Sequence, residues 1–203
     1  MAIIAKNASK PRVLAPQGNH VAVCYKMIEL GTITETFKSE SVTRHRVIIG
    51  WELSNELMEF DGVEKPIVVS KEFTLSMNEK ATLRKFLESW RGQEFTEEQA
   101  KSFDITKLMG VPCMVNLIHV TSGSGNQYES ITSVTPLPKG MEKPTQINPT
   151  FEFSLGEFDQ EKFDTFPDFI KDKITSSVEY GEMQGVTVDE LPEAQVGAED
   201  FPF

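Results

Sequence analysis

The sequence predicts a mainly β protein: a five-stranded antiparallel barrel with one helix between its third and fourth strands, followed by a disordered acidic tail. Three observations carry this expectation. Five strand-like apolar runs lie between residues 21 and 137. One segment, residues 78–91, repeats apolar side chains at three- and four-residue spacing. The charge is also unevenly spread. Of the 20 Lys+Arg and 31 Asp+Glu, 17 of each fall in residues 1–150, leaving 3 and 14 in residues 151–203. The net charge of −11 therefore belongs to the last quarter of the chain.

Residues 1–18 are polar, contain Pro11, Pro16 and Gly18, and read as an arm. Val21 to Leu30 form the first strand, with Val21, Val23, Tyr25 and Met27 on one alternating face. A Thr/Ser-rich loop (TITETFKSESVT) follows. In the second strand, RHRVIIGWEL, alternation puts Val47, Ile49, Trp51 and Leu53 on one face and Arg44 and Arg46 on the other. Residues 54–66 read as a polar loop with an Asp61-Gly62 turn, and IVVSKEFTLS as the third strand.

The helix of residues 78–91 shows Leu83, Phe86, Leu87 and Trp90 as its apolar stripe, with Asn78 as its cap and Gly92 just past its end. A short helix at EEQAKSF and a turn at DITKLMG lead to the fourth strand, VPCMVNLIHV. The loop SGSGN permits a hairpin to the fifth strand, YESITSVTPL. This order matches the oligonucleotide/oligosaccharide-binding (OB) barrel. It divides the chain into an arm (1–18), an OB-type domain (19–140), a linker with a Phe-rich extension (141–178) and a disordered acidic tail (179–203). Prolines 138, 144 and 149 mark the linker. Beyond Tyr180 there is no Lys or Arg, and six acids remain.

Several function classes find no support. The sequence has no GxxxxGK[ST], GxGxxG or HExxH motif, and His20, His45 and His119 lack a patterned Cys or carboxylate partner. No catalytic residue, cofactor or metal is expected. Cys24 and Cys113 sit in apolar segments as buried thiols, consistent with a reducing cytoplasm. The stretch MAIIAKNASKPR has no long apolar core, so neither a signal peptide nor a membrane span is expected.

The end of the chain is the most specific signal. It reads AEDFPF, acids followed by aromatic rings with no core nearby. A partner would bury the ring in a pocket and take the carboxylates of Glu199, Asp200 and the chain terminus on basic side chains. The candidate partner-binding residues are Glu199, Asp200, Phe201, Pro202 and Phe203. This tip resembles that of bacterial single-stranded DNA-binding proteins. The stretches KEFTLSMNEKATLRKFLESWRGQEF, DITKLMGVPCMVNLIHV and SVTPLPKG resemble a family of bacteriophage single-stranded DNA-binding proteins, over roughly residues 20–140. The resemblance implies an OB-type fold, sequence-independent binding of single-stranded DNA, no catalysis, and a tail read by replication or recombination proteins. It implies the host cytosol as location if the chain is phage-encoded. It fixes no individual DNA contact.

The contacts follow from physical argument. A single-strand binder needs cations along a groove and exposed aromatic faces for bases. The candidates are Arg44, Arg46 and Lys71 on strands two and three, Lys26 on strand one, Phe37 and Lys38 in the first loop, and Tyr128 after the glycine-rich loop. An ordinary solvated sheet face is the alternative for the strand cations, and satellite packing for the two aromatics. Lys80, Arg84, Lys85 and Arg91 form a second basic set, read as a solvated helix face. The phenylalanines of 151–169 are expected to pack on the barrel or on a second subunit, so a homodimer is plausible. A protein-interaction or inhibitor module that mimics DNA is the alternative function, and an acidic face on strands two and three would favour it.

Overall fold

The computed structural model describes residues 13–37, 40–60, 62–123 and 125–185. The fold is mainly β. Two long strands, β1 (Gly18–Phe37) and β2 (Glu40–Phe60), form an antiparallel hairpin, and β3 (Val63–Thr74) pairs with β2. After the helices α1 (Thr82–Arg91) and α2 (Glu97–Ala100), β4 (Pro112–Thr121) pairs with β1 and β5 (Gln127–Pro136) pairs with β4. The sheet order is β3-β2-β1-β4-β5.

The expected closed barrel is corrected to an open sheet. No backbone ladder joins β3 to β5 among the described residues. Side chains span the seam instead. Lys71 Nζ donates to the Ile131 carbonyl (2.5 Å), and Ser89 Oγ on α1 donates to the Val134 carbonyl (2.8 Å). These bonds satisfy edge carbonyls of β5 that a β3 ladder would otherwise take.

The two expected loops also differ. Residues 32–37 and 40–43 continue the β1–β2 hairpin, and residues 54–60 and 63–66 continue β2 and β3. The Thr-rich alternation TITET suits an exposed strand as well as a loop, and pairing with Thr43 and Val42 decides it. The helix begins at Thr82 rather than Asn78. Asn78 makes a turn before it, accepting from Lys80 N–H at Oδ1 (3.1 Å) and from Ala81 N–H at its carbonyl (2.8 Å).

The inner face builds one core. Trp51 is fully buried against Phe86 and Trp90, with ring centroids 5.9 and 5.5 Å away. Val47, Ile49, Leu53, Val69 and Phe73 pack with them, as the alternation and the helix stripe predict. Cys24 and Cys113 are buried there as free thiols, and burial pushes both thiol pKa values up.

The outer face of β1 and β2 builds a second core. After Pro136 the chain returns as a short strand, β6 (Phe151–Phe153), which pairs in parallel with Lys26–Ile28 of β1. Helices α3 (Gln160–Asp164), α4 (Asp168–Thr175) and α5 (Val178–Gln184) follow. Phe153, Phe163, Phe166, Ile170 and Ile174 close over Ile28, Leu30, Ile33 and Ile48. The phenylalanine-rich segment is thus covered by its own chain. The tail boundary placed at 179 falls inside α5, which is capped by Ser177 at its start and left-handed Gly185 at its end. Residues 186–203 lie outside the described residues.

Three local features seat this segment. Glu52 is fully buried, and its carboxylate accepts from Ile147 N–H (2.6 Å), Asn148 N–H (2.7 Å) and Asn148 Nδ2 (2.8 Å). Gly31 sits at a β1 bulge with φ +87°, where a Cβ would lie 2.5 Å from Ser177 Cβ. His45 links the two ends. Its Nε2 lies 2.8 Å from Glu29 Oε1, and its Nδ1 lies 3.2 Å from Thr32 Oγ1 and 3.4 Å from Glu179 Oε1. Glu29 Oε2 in turn accepts from Leu155 N–H, and Glu179 accepts from Thr32 N–H. The Glu29 hydrogen bond raises the His45 pKa above its ordinary 6.5, against burial, and the His45 bond helps hold Glu29 down to about 2.

Two outcomes are expected. Replacing Glu52 by alanine removes the buried acceptor of three hydrogen bonds and lowers the unfolding free energy by about 3 kcal/mol in urea titrations. The same change at exposed Glu79 stays within about 0.5 kcal/mol. For the His45 cluster, the imidazolium contribution is complete below pH 6.5 and is lost as pH rises through the raised pKa. The Glu29 contribution is complete above 4.5 and is lost as pH falls toward 2. A His45→Asn variant should therefore melt lower than the parent by the equivalent of about 1 kcal/mol near pH 5.5, with the gap narrowing as the pH rises above 6.5 and through the raised pKa. A gap that widens with pH contradicts this assignment.

Candidate functional site

The β2–β3 register sets Arg46 opposite Thr74 and Val47 opposite Phe73. The chain then continues from β3 into the Asn78 turn and α1. Where β2 begins, β3 ends and this turn passes, a groove of about 480 Å³ opens. Its lining includes Arg44, Arg46, Lys71 and Lys80 and, among the described residues, a single acid, Glu72. Three residues expected from the sequence to bind together thus line one groove, and Lys80 joins them.

The four cations differ in what already holds them. Arg44 and Lys80 are exposed. Arg46 is engaged: Nη2 donates to both Glu35 carboxylate oxygens (2.8 and 2.6 Å), and Nε lies 3.4 Å from Glu72 Oε1. It forms one wall as a fixed ion pair. Lys71 lies on the inward-facing side of β3, alternating with Val69 and Phe73. Its Nζ bonds the Ile131 carbonyl and stands 5.9 Å from the Phe73 ring centroid and 5.7 Å from that of Phe86. Burial lowers its pKa.

The other candidates lie elsewhere. Lys26 pairs with Gly50 and stands over the Tyr25 and Phe151 rings, at 5.6 and 5.7 Å, with burial lowering its pKa. It does not line the groove. Tyr128 is half-buried on β5 opposite Val120 and does not line it either. Phe37 ends β1, at the tip of the hairpin whose stem carries Arg44 opposite Ile33. Lys38 lies outside the described residues, as do Glu199, Asp200, Phe201, Pro202 and Phe203.

The second basic set divides. Arg84 is buried, bonding Glu88 (3.1 Å), Glu97 (2.9 Å) and the Phe95 carbonyl (3.1 Å), and it pins the loop after α1. Arg91 lies 4.0 Å over the Phe95 ring. Only Lys80 turns to the groove, because the helix starts two residues after it. The pattern Asn-x-Lys ahead of the apolar stripe is the signal that separates Lys80 from the helix face. Sequence reading also missed Glu35 and Glu72, whose partners are set by strand register.

The groove offers phosphate-sized anions two exposed cations beside two fixed ones. Its described lining holds one aromatic residue, Phe73, which is buried. Among the described residues no cluster of three or more His, Cys, Asp or Glu is placed to hold a metal ion, and no helix is long and apolar enough to cross a membrane. No protein-family model matches the chain, and no curated protein matches it.

Proposed function

We propose that this chain is a sequence-independent single-stranded DNA-binding protein of the OB type, acting in replication or recombination. The observation that carries the reading is the groove lined by Arg44, Arg46, Lys71 and Lys80, with Glu72 as its one acid among the described residues. It lies on a body whose residues 1–150 have no net charge, so the cations are concentrated rather than abundant. The helix between β3 and β4, packed against both edge strands, and the β1–β4 pairing support the OB-type assignment. The open seam departs from a closed OB barrel.

Arg44 and Lys80 neutralise phosphates and release counterions. Arg46 and Lys71 give the groove its fixed lining beside them. Base stacking falls to Phe37 at the hairpin tip and to Tyr128, since the groove itself presents no exposed ring among its described lining. Lys26, held over the Phe151 ring, contributes to packing. The acidic tail, with the tip Glu199, Asp200, Phe201, Pro202 and Phe203, recruits partner proteins and competes with DNA for the same cations until DNA displaces it.

Fluorescence anisotropy with labelled oligo-dT, against matched duplex across a salt series, tests this. Tight single-strand binding, weak duplex binding and a falling log affinity with log salt are expected. Arg44→Ala/Lys80→Ala should weaken oligo-dT binding about ten-fold at low salt and flatten the salt slope by about 1.4. Lys26→Ala should leave binding within about two-fold. Removing residues 186–203, beyond the Gly185 cap of α5, should raise affinity, most at low salt. Equal affinity for duplex and single strand, or no binding at any salt, rejects the proposal.

A further inference from the structure

Glu72 is the one acid among the described residues lining the groove, and it is held from outside it. Lys173, on α4 of the docked C-terminal segment, places Nζ 2.7 Å from Glu72 Oε2. The other Glu72 oxygen lies 3.4 Å from Arg46 Nε, which is buried and makes no hydrogen bond. Arg46 otherwise donates to both Glu35 oxygens and, from Nη1, to Thr74 Oγ1 (3.4 Å). The four charges Glu35, Arg46, Glu72 and Lys173 cancel across β1, β2, β3 and α4. The Glu72 side chain is only 8 % exposed and that of Lys173 23 %, so solvent screens this pair less than a surface pair.

We propose that Lys173 is a positioning residue for the groove: by pairing with Glu72 it cancels the carboxylate that would repel a phosphate, so docking of residues 151–185 and nucleic-acid binding are coupled. The inference rests on the single-strand-binding reading. Without Lys173, Glu72 keeps, among the described residues, Arg46 of the groove as its neighbouring cation. It draws on Arg46 and adds an uncompensated negative charge to the groove that Arg44 and Lys80 also line. The pair thus predicts opposite signs for its two halves. Loss of Glu72 relieves repulsion, whereas loss of Lys173 exposes it.

The test uses the full chain and labelled oligo-dT. At low salt, Lys173→Ala should bind about five-fold weaker and Glu72→Gln about five-fold tighter. The double variant should bind like Glu72→Gln, and Lys173→Arg should bind like the parent. Raising the salt should compress all of these differences. The coupling is overturned if Lys173→Ala or Glu72→Gln binds like the parent. It is also overturned if the Lys173→Ala loss persists in the double variant, which assigns that loss to undocking of the segment. A parent chain that binds oligo-dT with no response at Lys173 refutes the coupling alone. A parent that fails to bind at any salt removes the groove reading and the coupling with it.

Discussion

A single buried carboxylate decides how this chain closes. Glu52 lies on the outer face of β2 with no exposure, and its oxygens take three N–H groups from Ile147 and Asn148. Burying a carboxylate is unfavourable unless donors surround it, so the linker must arrive at that spot. Three residues later Phe151 enters β6 beside Lys26. That edge of β1 is open there because β4 pairs only with Gly18–Val23, after which Gly110 N–H takes the Cys24 carbonyl. Glu52 therefore sets the register in which the C-terminal segment covers the sheet.

This cover makes β1 and β2 strands with two buried faces. Trp51 and Ile49 point into one core and Ile48 into the other. A strand buried on both sides cannot present a binding surface along its length. The exposed cations of the groove, Arg44 and Lys80, lie where β2 begins and β3 ends. The segment still reaches that end through Lys173 and through the Glu179–Thr32–His45 contacts. The groove's electrostatics and the docking of the segment are then parts of one network.

Much of the inner core is legible from the sequence. Alternation assigns Val47, Ile49, Trp51 and Leu53 to one face, and helical spacing assigns Leu83, Phe86, Leu87 and Trp90 to another element that meets it. Both signals come from periods that burial enforces. The outer core is harder to read, since Ile48, Gly50 and Glu52 look like the mixed face of a half-solvated strand until the distant phenylalanines are placed over them. The loops at 32–43 and 54–66 were misleading for a related reason: exposed hairpin arms carry the same Thr, Ser and Glu that loops do, and only cross-strand pairing separates them. At the site, Arg44, Arg46 and Lys71 were visible as strand cations. Their inequality was not. It depends on Glu35 and Glu72, which reach Arg46 diagonally from positions opposite Val42 and Ile48, and on the seam that gives Lys71 a carbonyl to bind.

That inequality has a consequence for how the groove works. Arg46 and Lys71 have surrendered most of their hydration to carboxylates, rings and a carbonyl, so recruiting them fully to a phosphate requires breaking buried contacts. Arg44 and Lys80 keep their water and lose only counterions on meeting an anion. The fixed pair supplies shape and a steady local potential, while the exposed pair supplies an attraction that salt can screen. An attraction of this kind follows the spacing of phosphates and is indifferent to the bases between them. In such a groove one uncompensated carboxylate weighs as much as one of the exposed cations, and the placement of Lys173 against Glu72 removes it.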